Sequence, residues 1–420
     1  MLNIFSRKDF KNTYWYVAEK LVQLSVAIFI IPKIYNELGA VDLGKLEFSK
    51  TLIGYLAPIL FLGLSVICIR EIILNPSKKN EILASALFLR IVSCFIILSG
   101  LIFYVQFIDR NDISIIVLIL GFSYFVKVTD VLEFYIQAKK NSKLIFSCKI
   151  TTLFIIVGLQ YYGIQQHYNV YYFAFIFGLD FLIQGFIYWA LLFGRGMLQF
   201  SKWKISKKIS KKLLLDAYPL MLSNLIIAFY IGIDELFLKY YLGDAAVGVF
   251  SSVQFLVIWL TWNIGESFIY ALYPSYVEAY ANNQELYKRR IGLSYKLVIG
   301  FGILIGLFFV FSGEYIYDNF YDVSYHSGIY PLKIFSWAPL FVFLGVIYEK
   351  HLININQINK NVYRFILGCI VNFVLCYFLI PTYQVVGAAI AVLISHIVTN
   401  LGFILLDKQS RLFFIEVMKI

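Results

Sequence analysis

Long apolar runs separated by short polar loops fill the chain from residue 12 to residue 407. A helix crossing a bilayer core needs about 20 consecutive, mostly apolar residues. The pattern predicts twelve such spans, at residues 12–34, 46–69, 81–105, 113–137, 144–163, 170–194, 213–240, 246–273, 292–312, 331–349, 362–380 and 385–406. The fold class that follows is an all-α integral membrane protein. The loops alternate between lysine-rich and nearly lysine-free. Because cytoplasmic loops retain Lys and Arg, the alternation predicts a multi-pass chain with both ends in the cytoplasm.

On the inferred cytoplasmic side lie Arg7, Lys8 and Lys11, then Arg70, Lys78 and Lys79, and then Lys139, Lys140, Lys143 and Lys149. The central loop carries Arg195, Lys202, Lys204, Lys207, Lys208, Lys211 and Lys212. Further along are Lys288, Arg289 and Arg290, then Lys350, Lys360 and Arg364, and last Lys408, Arg411 and Lys419. The opposite margins hold only Lys33, Lys45, Arg110 and Lys239. A missed or extra span would scramble this separation.

Composition agrees with the pattern: 60% of residues are hydrophobic and 15% charged, far from the soluble range. The net charge of +11 faces anionic headgroups from one-sided loops, and nucleic acid is not an expected partner. Cys68, Cys94, Cys148, Cys369 and Cys376 sit in or beside apolar runs without metal-ligand spacing, so buried thiols are expected. No small-residue cleavage site follows the first apolar run, which reads as a retained span.

The basic stretch 195–212 divides the chain into predicted six-helix lobes, residues 1–194 and 213–420. Trp203, Ile205, Ile209 and Leu213 are spaced to lay an apolar helix edge on the membrane surface. An internal echo supports two related halves: Leu38-Gly39 followed by Gly44 recurs as Leu242-Gly243 followed by Gly248, 204 residues later. Both copies fall in the turn between the first two spans of a half, where glycine permits positive φ. Transporters are commonly built from such repeats.

Gly39-Ala-Val-Asp-Leu-Gly44-Lys45 approaches a phosphate-binding loop, but the position that should be Ser or Thr is Leu46. No nucleotide, cofactor or metal is expected, and the four histidines are scattered. The outer loops are short for a catalytic platform, which argues against an enzyme. Ionisable residues inside the spans carry the chemistry. A central charge costs roughly 2.5–3.5 kcal/mol on insertion scales, so it faces a partner or a watery cavity. Lys20, Arg90 and Lys127 are the deepest cations, with Lys50 nearer a span end. Asp130 and Glu133 follow Lys127 on its helix, and Lys127 and Asp130 are spaced to pair. Asp180, Asp234, Glu235 and Glu266 are the deep acids, so the second half reads as acidic. A carboxylate there can hold a proton or a cation, the chemistry of H⁺ or Na⁺ coupling, or can tie two helices by hydrogen bonds.

Asp216-Ala-Tyr-Pro219-Leu-Met-Leu-Ser-Asn, Ile233-Asp234, Leu242-Gly243, Val247-Gly248-Val-Phe-Ser251 and Pro274 together resemble the seventh and eighth spans of bacterial O-antigen-type polysaccharide flippases. The first half agrees through Tyr35, Leu38-Gly39, Gly44, Gly63 and Arg70, and Val386-Gly387-Ala-Ala-Ile-Ala391 resembles the opening of the family's twelfth span. The resemblance implies two six-helix lobes around a V-shaped cavity, alternating access, and a bacterial cytoplasmic membrane. It also implies transfer of a polyprenyl-diphosphate-linked oligosaccharide to the outer leaflet, with a polysaccharide polymerase as a possible partner. A diphosphate cannot cross hydrocarbon unaided, and basic residues lining the lumen are part of the family pattern. Lys20, Lys50, Arg90 and Lys127 are the candidates for holding it. Asp130, Asp180, Asp234, Glu235 and Glu266 are candidates for ion coupling. Related peptidoglycan-precursor flippases place arginine in the eighth span, where this chain has only acidic Glu266. The alternatives are a multidrug-type cation antiporter of the same architecture and a membrane polymerase or ligase.

Overall fold

The computed structural model describes residues 7–139, 141–194, 196–197 and 203–419. The chain forms two units, Met1–Glu37 with Phe48–Ala228 and Leu38–Glu47 with Phe229–Ile420. All twelve predicted spans fall on helix. Among the described residues, eight helices are long and apolar enough to cross a membrane, and a pair bent by 49° (Val323–Phe335 with Ala338–Asn354) makes a ninth. Ala18–Leu74 and Asn359–Leu406 each contain two of the predicted spans. A straight helix of the former's 57 residues would run about 85 Å, nearly three bilayer cores. It therefore has to break. Gly39 breaks it at φ 67°, and Gln384 breaks the other at φ 55°.

The first unit contains α1 (Arg7–Phe61) apart from its Leu38–Glu47 segment, α2 (Leu64–Leu74), α3 (Lys79–Phe107), α4 (Asp112–Val126), α5 (Val131–Ala138), α6 (Ser142–Gln165) and α7 (Val170–Gly194). It also takes the start of α8 (Lys207–Leu242). Its core joins Leu64, Cys68, Leu83, Val131, Ile145, Tyr188 and Leu192 to Leu213 and Ala217 of α8. Arg70 on α2 donates to Asp216 Oδ2 at 2.8 Å, and Lys212 donates to Glu71 Oε2 at 2.7 Å. These bonds tie the start of α8 to α2 within the first unit, and residues 195 and 198–202 of the expected 195–212 linker lie outside the described residues. Lys207–Lys212 is the first part of α8, and Trp203, Ile209 and Leu213 pack into the unit's core while Ile205 stays exposed. Division by contacts falls at Ala228–Phe229 rather than at 195–212.

The second unit adds α9 (Asp244–Gln254), α10 (Leu260–Asn282), α11 (Gln284–Phe320), α12 (Ile329–Phe335), α13 (Ala338–Asn354), α14 (Asn359–Ile397), α15 (Phe403–Leu406) and α16 (Lys408–Lys419). π-helical turns interrupt it at Phe255–Trp259 and Val398–Gly402. The repeated glycines meet here. Gly39 and Gly243 both take positive φ, 67° and 84°. A Cβ on Gly44 would strike the Asp244 carbonyl, and one on Gly248 would strike the Ala40 carbonyl. Two backbones therefore cross at a distance only glycine allows, and they do so reciprocally.

The second unit is not purely acidic, which corrects the sequence expectation. Arg364, counted above as a loop residue, is 2% exposed. Its Nη1 donates to the Gly345 carbonyl at 2.9 Å and to Asn400 Oδ1 at 3.3 Å. Lys350 is also buried, 3.0 Å from Glu349. His396 and His351 are buried against the hydroxyls of Tyr230 and Tyr287, at 2.7 and 2.8 Å.

The glycine crossing sets a test. Gly44→Val should cost about 1–3 kcal/mol of stability through overpacking, read as a lower melting temperature of the purified protein. Gly158→Ala, where a Cβ meets no atom within 4 Å, should melt no lower than the wild type.

Candidate functional site

The site starts from a local change of helix type. After α4 the backbone tightens into a 3₁₀ turn over Lys127–Asp130 before resuming as α5. In such a turn side chains three apart eclipse, so Lys127 and Asp130 project from one side. Arg90 of α3 and Gly54, Ala57, Pro58 and Phe61 of α1 face the same space, a cavity of about 430 Å³ in the first unit. Glu133, Phe134 and Gln137 of α5 and Asn224 of α8 complete much of its wall.

Arg90 is 4% exposed, and its Nε and Nη1 have no hydrogen-bond partner among the described residues. Its guanidinium lies 4.9 Å from the ring centres of both Phe61 and Phe134. Lys127 Nζ lies 4.4 Å from the Phe181 ring and 5.4 Å from those of Phe61 and Tyr124. Cation–π attraction is worth about 0.5–2 kcal/mol per contact. It holds a charge in place without neutralising it. Among the described residues no carboxylate forms an ion pair with either cation, so the Lys127–Asp130 pair allowed by spacing is not formed.

Asp130 and Glu133 line the same cavity, and Glu133 is held by other partners. Glu133 accepts from Gln137 at 3.0 Å and from the Tyr188 hydroxyl at 3.2 Å, and lies 3.4 Å from Lys149 Nζ. Lys149 also lies 3.5 Å from Glu19, which is 3% exposed with one carboxylate oxygen unpartnered. Three cations and three acids thus balance in number. Their arrangement leaves Arg90 and Lys127 turned to the cavity while Lys149 takes two of the acids.

Of the four residues expected to hold an anion, the cavity collects Arg90 and Lys127. Lys20 is exposed on α1, and neighbouring Glu19 points inward instead. Lys50 is half-buried with its Nζ 5.4 Å from the Phe177 ring. Among the coupling candidates, Asp130 lines the cavity, and Asp180 accepts from Gln184 at 3.0 Å. Asp234 is completely buried in the second unit, accepting from Gln254 at 2.9 Å through Oδ2, with Oδ1 unpartnered. Glu235 beside it is buried. Glu266 and Pro274 lie on α10, outside the residues whose side chains are described. Pro219 sits inside α8.

Residues 10–280 match the family described as polysaccharide biosynthesis protein. The chain belongs to that family. It is similar to the capsular polysaccharide biosynthesis protein CapF of Staphylococcus aureus, 23% identical over 94% of this chain and 98% of the relative. Two solved structures share the fold. An inward-facing multidrug resistance MATE family transporter of the MOP superfamily superposes with a TM-score of 0.72 at 14% identity, over 97% of this chain and 96% of that one. A MOP superfamily transporter from Pyrococcus furiosus, whose pocket is described as reversed in polarity, gives 0.67 at 14% identity, over 98% and 97%. This member of the polysaccharide biosynthesis family is therefore a multi-pass membrane protein with the architecture of MOP transporters.

Sequence reading missed Lys149 and Glu19 as parts of the site. Lys149, grouped above with the cytoplasmic cations, lies eight positions into the 24-residue α6, and the acids Glu19, Asp130 and Glu133 were the available signal. Lys149→Met should leave two carboxylates facing each other without a counter-charge. Removing one partner of a buried pair costs about 3–5 kcal/mol, so folded protein at neutral pH should fall sharply. Adding Glu19→Gln and Glu133→Gln to that variant should restore the yield.

Proposed function

We propose that this protein carries a lipid-linked oligosaccharide across the bacterial cytoplasmic membrane, from the cytoplasmic to the outer leaflet, for a surface polysaccharide. The observation that carries this reading is the pair of cations, Arg90 and Lys127, held by aromatic rings in a cavity without a bound carboxylate partner. A diphosphate has the charge and the acceptor oxygens that both lack, and Arg suits it by its planar fork of donors. Phe61, Tyr124, Phe134 and Phe181 leave the cations little else to bind, and Gln137 and Asn224 offer amides suited to sugar hydroxyls. Membership of the polysaccharide biosynthesis family and the similarity to CapF support a saccharide cargo. Lys20 and Lys50 would act at the periphery of the path.

Transport proceeds by alternating access and draws on an H⁺ or Na⁺ gradient. Asp234 is the leading coupling acid, because it is buried with one oxygen unpartnered. Asp130, Asp180, Glu235 and Glu266 are the others. A polysaccharide polymerase would take the delivered units. The lysine-rich loops support a cytoplasmic side for both termini.

Arg90→Ala should reduce surface polysaccharide and translocation of lipid-linked units in vesicles at least about tenfold, as loss of a charge-assisted bond of roughly 1.5–3 kcal/mol implies. Protein abundance should stay unchanged, and normal surface glycan would remove Arg90 from the proposal. Asp234→Asn should abolish the dependence of transport on an imposed ion gradient. A dependence that survives in this variant would exclude Asp234 as the coupling group.

A further inference from the structure

The first unit holds a second basic site, away from Arg90 and Lys127, at the lysine-rich end of its spans. Tyr135 and Lys139 line two cavities there. One, of about 460 Å³, is walled by Tyr135, Ile136, Lys139, Asn141, Leu144, Leu192 and Met197. The other, of about 140 Å³, is walled by Ile72, Ile73, Pro76, Lys79, Tyr135, Ala138 and Lys139. Among the described residues neither lining contains a carboxylate.

Tyr135 is the centre of the arrangement. Its side chain is 7% exposed, and its hydroxyl accepts from Lys79 Nζ at 3.2 Å. Lys79 and Lys139 both sit over its ring, at 4.8 and 6.0 Å. Lys79 also donates to the Met197 carbonyl at 3.1 Å. That bond fixes the ammonium in place without neutralising it. Among the described residues no acid pairs with Lys79 or Lys139, and the Tyr135 hydroxyl proton is given to no acceptor. Both cations and the hydroxyl donor line the smaller cavity beside Ile72, and Lys139 and Tyr135 continue into the larger one, walled by Ile136, Leu144 and Leu192. Next to it, Ile73 and Leu74 are 55% and 67% exposed.

This combination fits an amphiphile better than a soluble anion. A free phosphate would use the lysines and leave the apolar walls wet. A lipid would place its phosphate between Lys79 and Lys139 and its chains along the isoleucines and leucines. Basic pockets between spanning helices bind anionic headgroups in this way, and the larger cavity, at about 460 Å³, lies in the range of ligand pockets.

We infer that Lys79, Tyr135 and Lys139 form a binding site for a phosphate-bearing lipid headgroup, distinct from the Arg90–Lys127 cavity and not dependent on the cargo proposed for it. Two lipids carry that chemistry, a resident anionic phospholipid and a polyprenyl diphosphate.

The test is native mass spectrometry of the full-length protein released from mixed detergent micelles containing phosphatidylglycerol and phosphatidylcholine. Wild type should retain phosphatidylglycerol selectively, and Lys79→Ala with Lys139→Ala should lose that retention at least about tenfold. Lys79→Arg with Lys139→Arg should keep it, which separates loss of charge from loss of fold. Arg90→Gln should also keep it, so that failure here and failure of the transport reading stay distinguishable. Added polyprenyl diphosphate that displaces phosphatidylglycerol identifies a lipid diphosphate as the preferred occupant. No displacement identifies the resident phospholipid. Equal retention of phosphatidylcholine, equal retention by the double alanine variant, or displacement by millimolar inorganic phosphate alone would overturn the inference.

Discussion

A charge buried in a bilayer must be matched or it must be useful, and the arrangement around Arg90 turns on that constraint. Placing an ammonium or guanidinium at membrane depth costs roughly 2.5–3.5 kcal/mol on insertion scales. Arg90 has two aromatic rings within 4.9 Å and Lys127 has three within 5.4 Å. At about 0.5–2 kcal/mol per contact, the rings offset much of the burial cost without supplying an anion. The site tolerates its cations empty and still has their electrostatic attraction to give. A carboxylate at bonding distance would have used that attraction within the protein.

Lys149 is what makes this possible. Glu19, Asp130 and Glu133 are enough acids to neutralise Arg90, Lys127 and Lys149 one for one. Lys149 instead sits between Glu19 and Glu133 at 3.5 and 3.4 Å, and Gln137 and Tyr188 hold Glu133 from other sides. The 3₁₀ turn at Lys127–Asp130 contributes from the backbone, because its tighter pitch changes the direction in which Lys127 leaves the helix. The cluster is balanced in number, while Arg90 and Lys127 at the cavity wall keep no ion-paired carboxylate among the described residues.

The spans, the two glycine turns and the depth of Arg90 and Lys127 were legible in the sequence, because each is a departure from a uniform apolar background. A lysine in mid-span or a glycine at a helix reversal needs no partner to be noticed. What the sequence could not give was direction around the helix axis. Lys20 and Glu19 are adjacent, and on a span apolar on all faces nothing in one dimension says that Glu19 turns inward. Residues near span margins were misread for a related reason. Lys149, Lys350 and Arg364 have side chains long enough to reach a headgroup region, so a loop assignment was the natural one. In each case burial is imposed by partners distant in sequence, Glu19 for Lys149 and the Gly345 carbonyl for Arg364.

The two halves share a backbone device but differ in their chemistry. Gly39 and Gly243 share a positive φ, and Gly44 and Gly248, at the same offset, meet in a reciprocal close crossing. Such a crossing tolerates no side chain, so both positions require glycine. The buried arginines show no such symmetry. Arg364 of the second unit donates to a backbone carbonyl and an asparagine, leaving only Nε without a partner. Arg90 of the first unit leaves Nε and Nη1 free at a cavity wall. A guanidinium whose donors are spent on the protein consolidates a core, whereas one whose donors remain unspent is available to a ligand. The two buried arginines thus differ in how many donors the protein itself uses, and the second unit's unpartnered group, Asp234 Oδ1, carries the opposite charge.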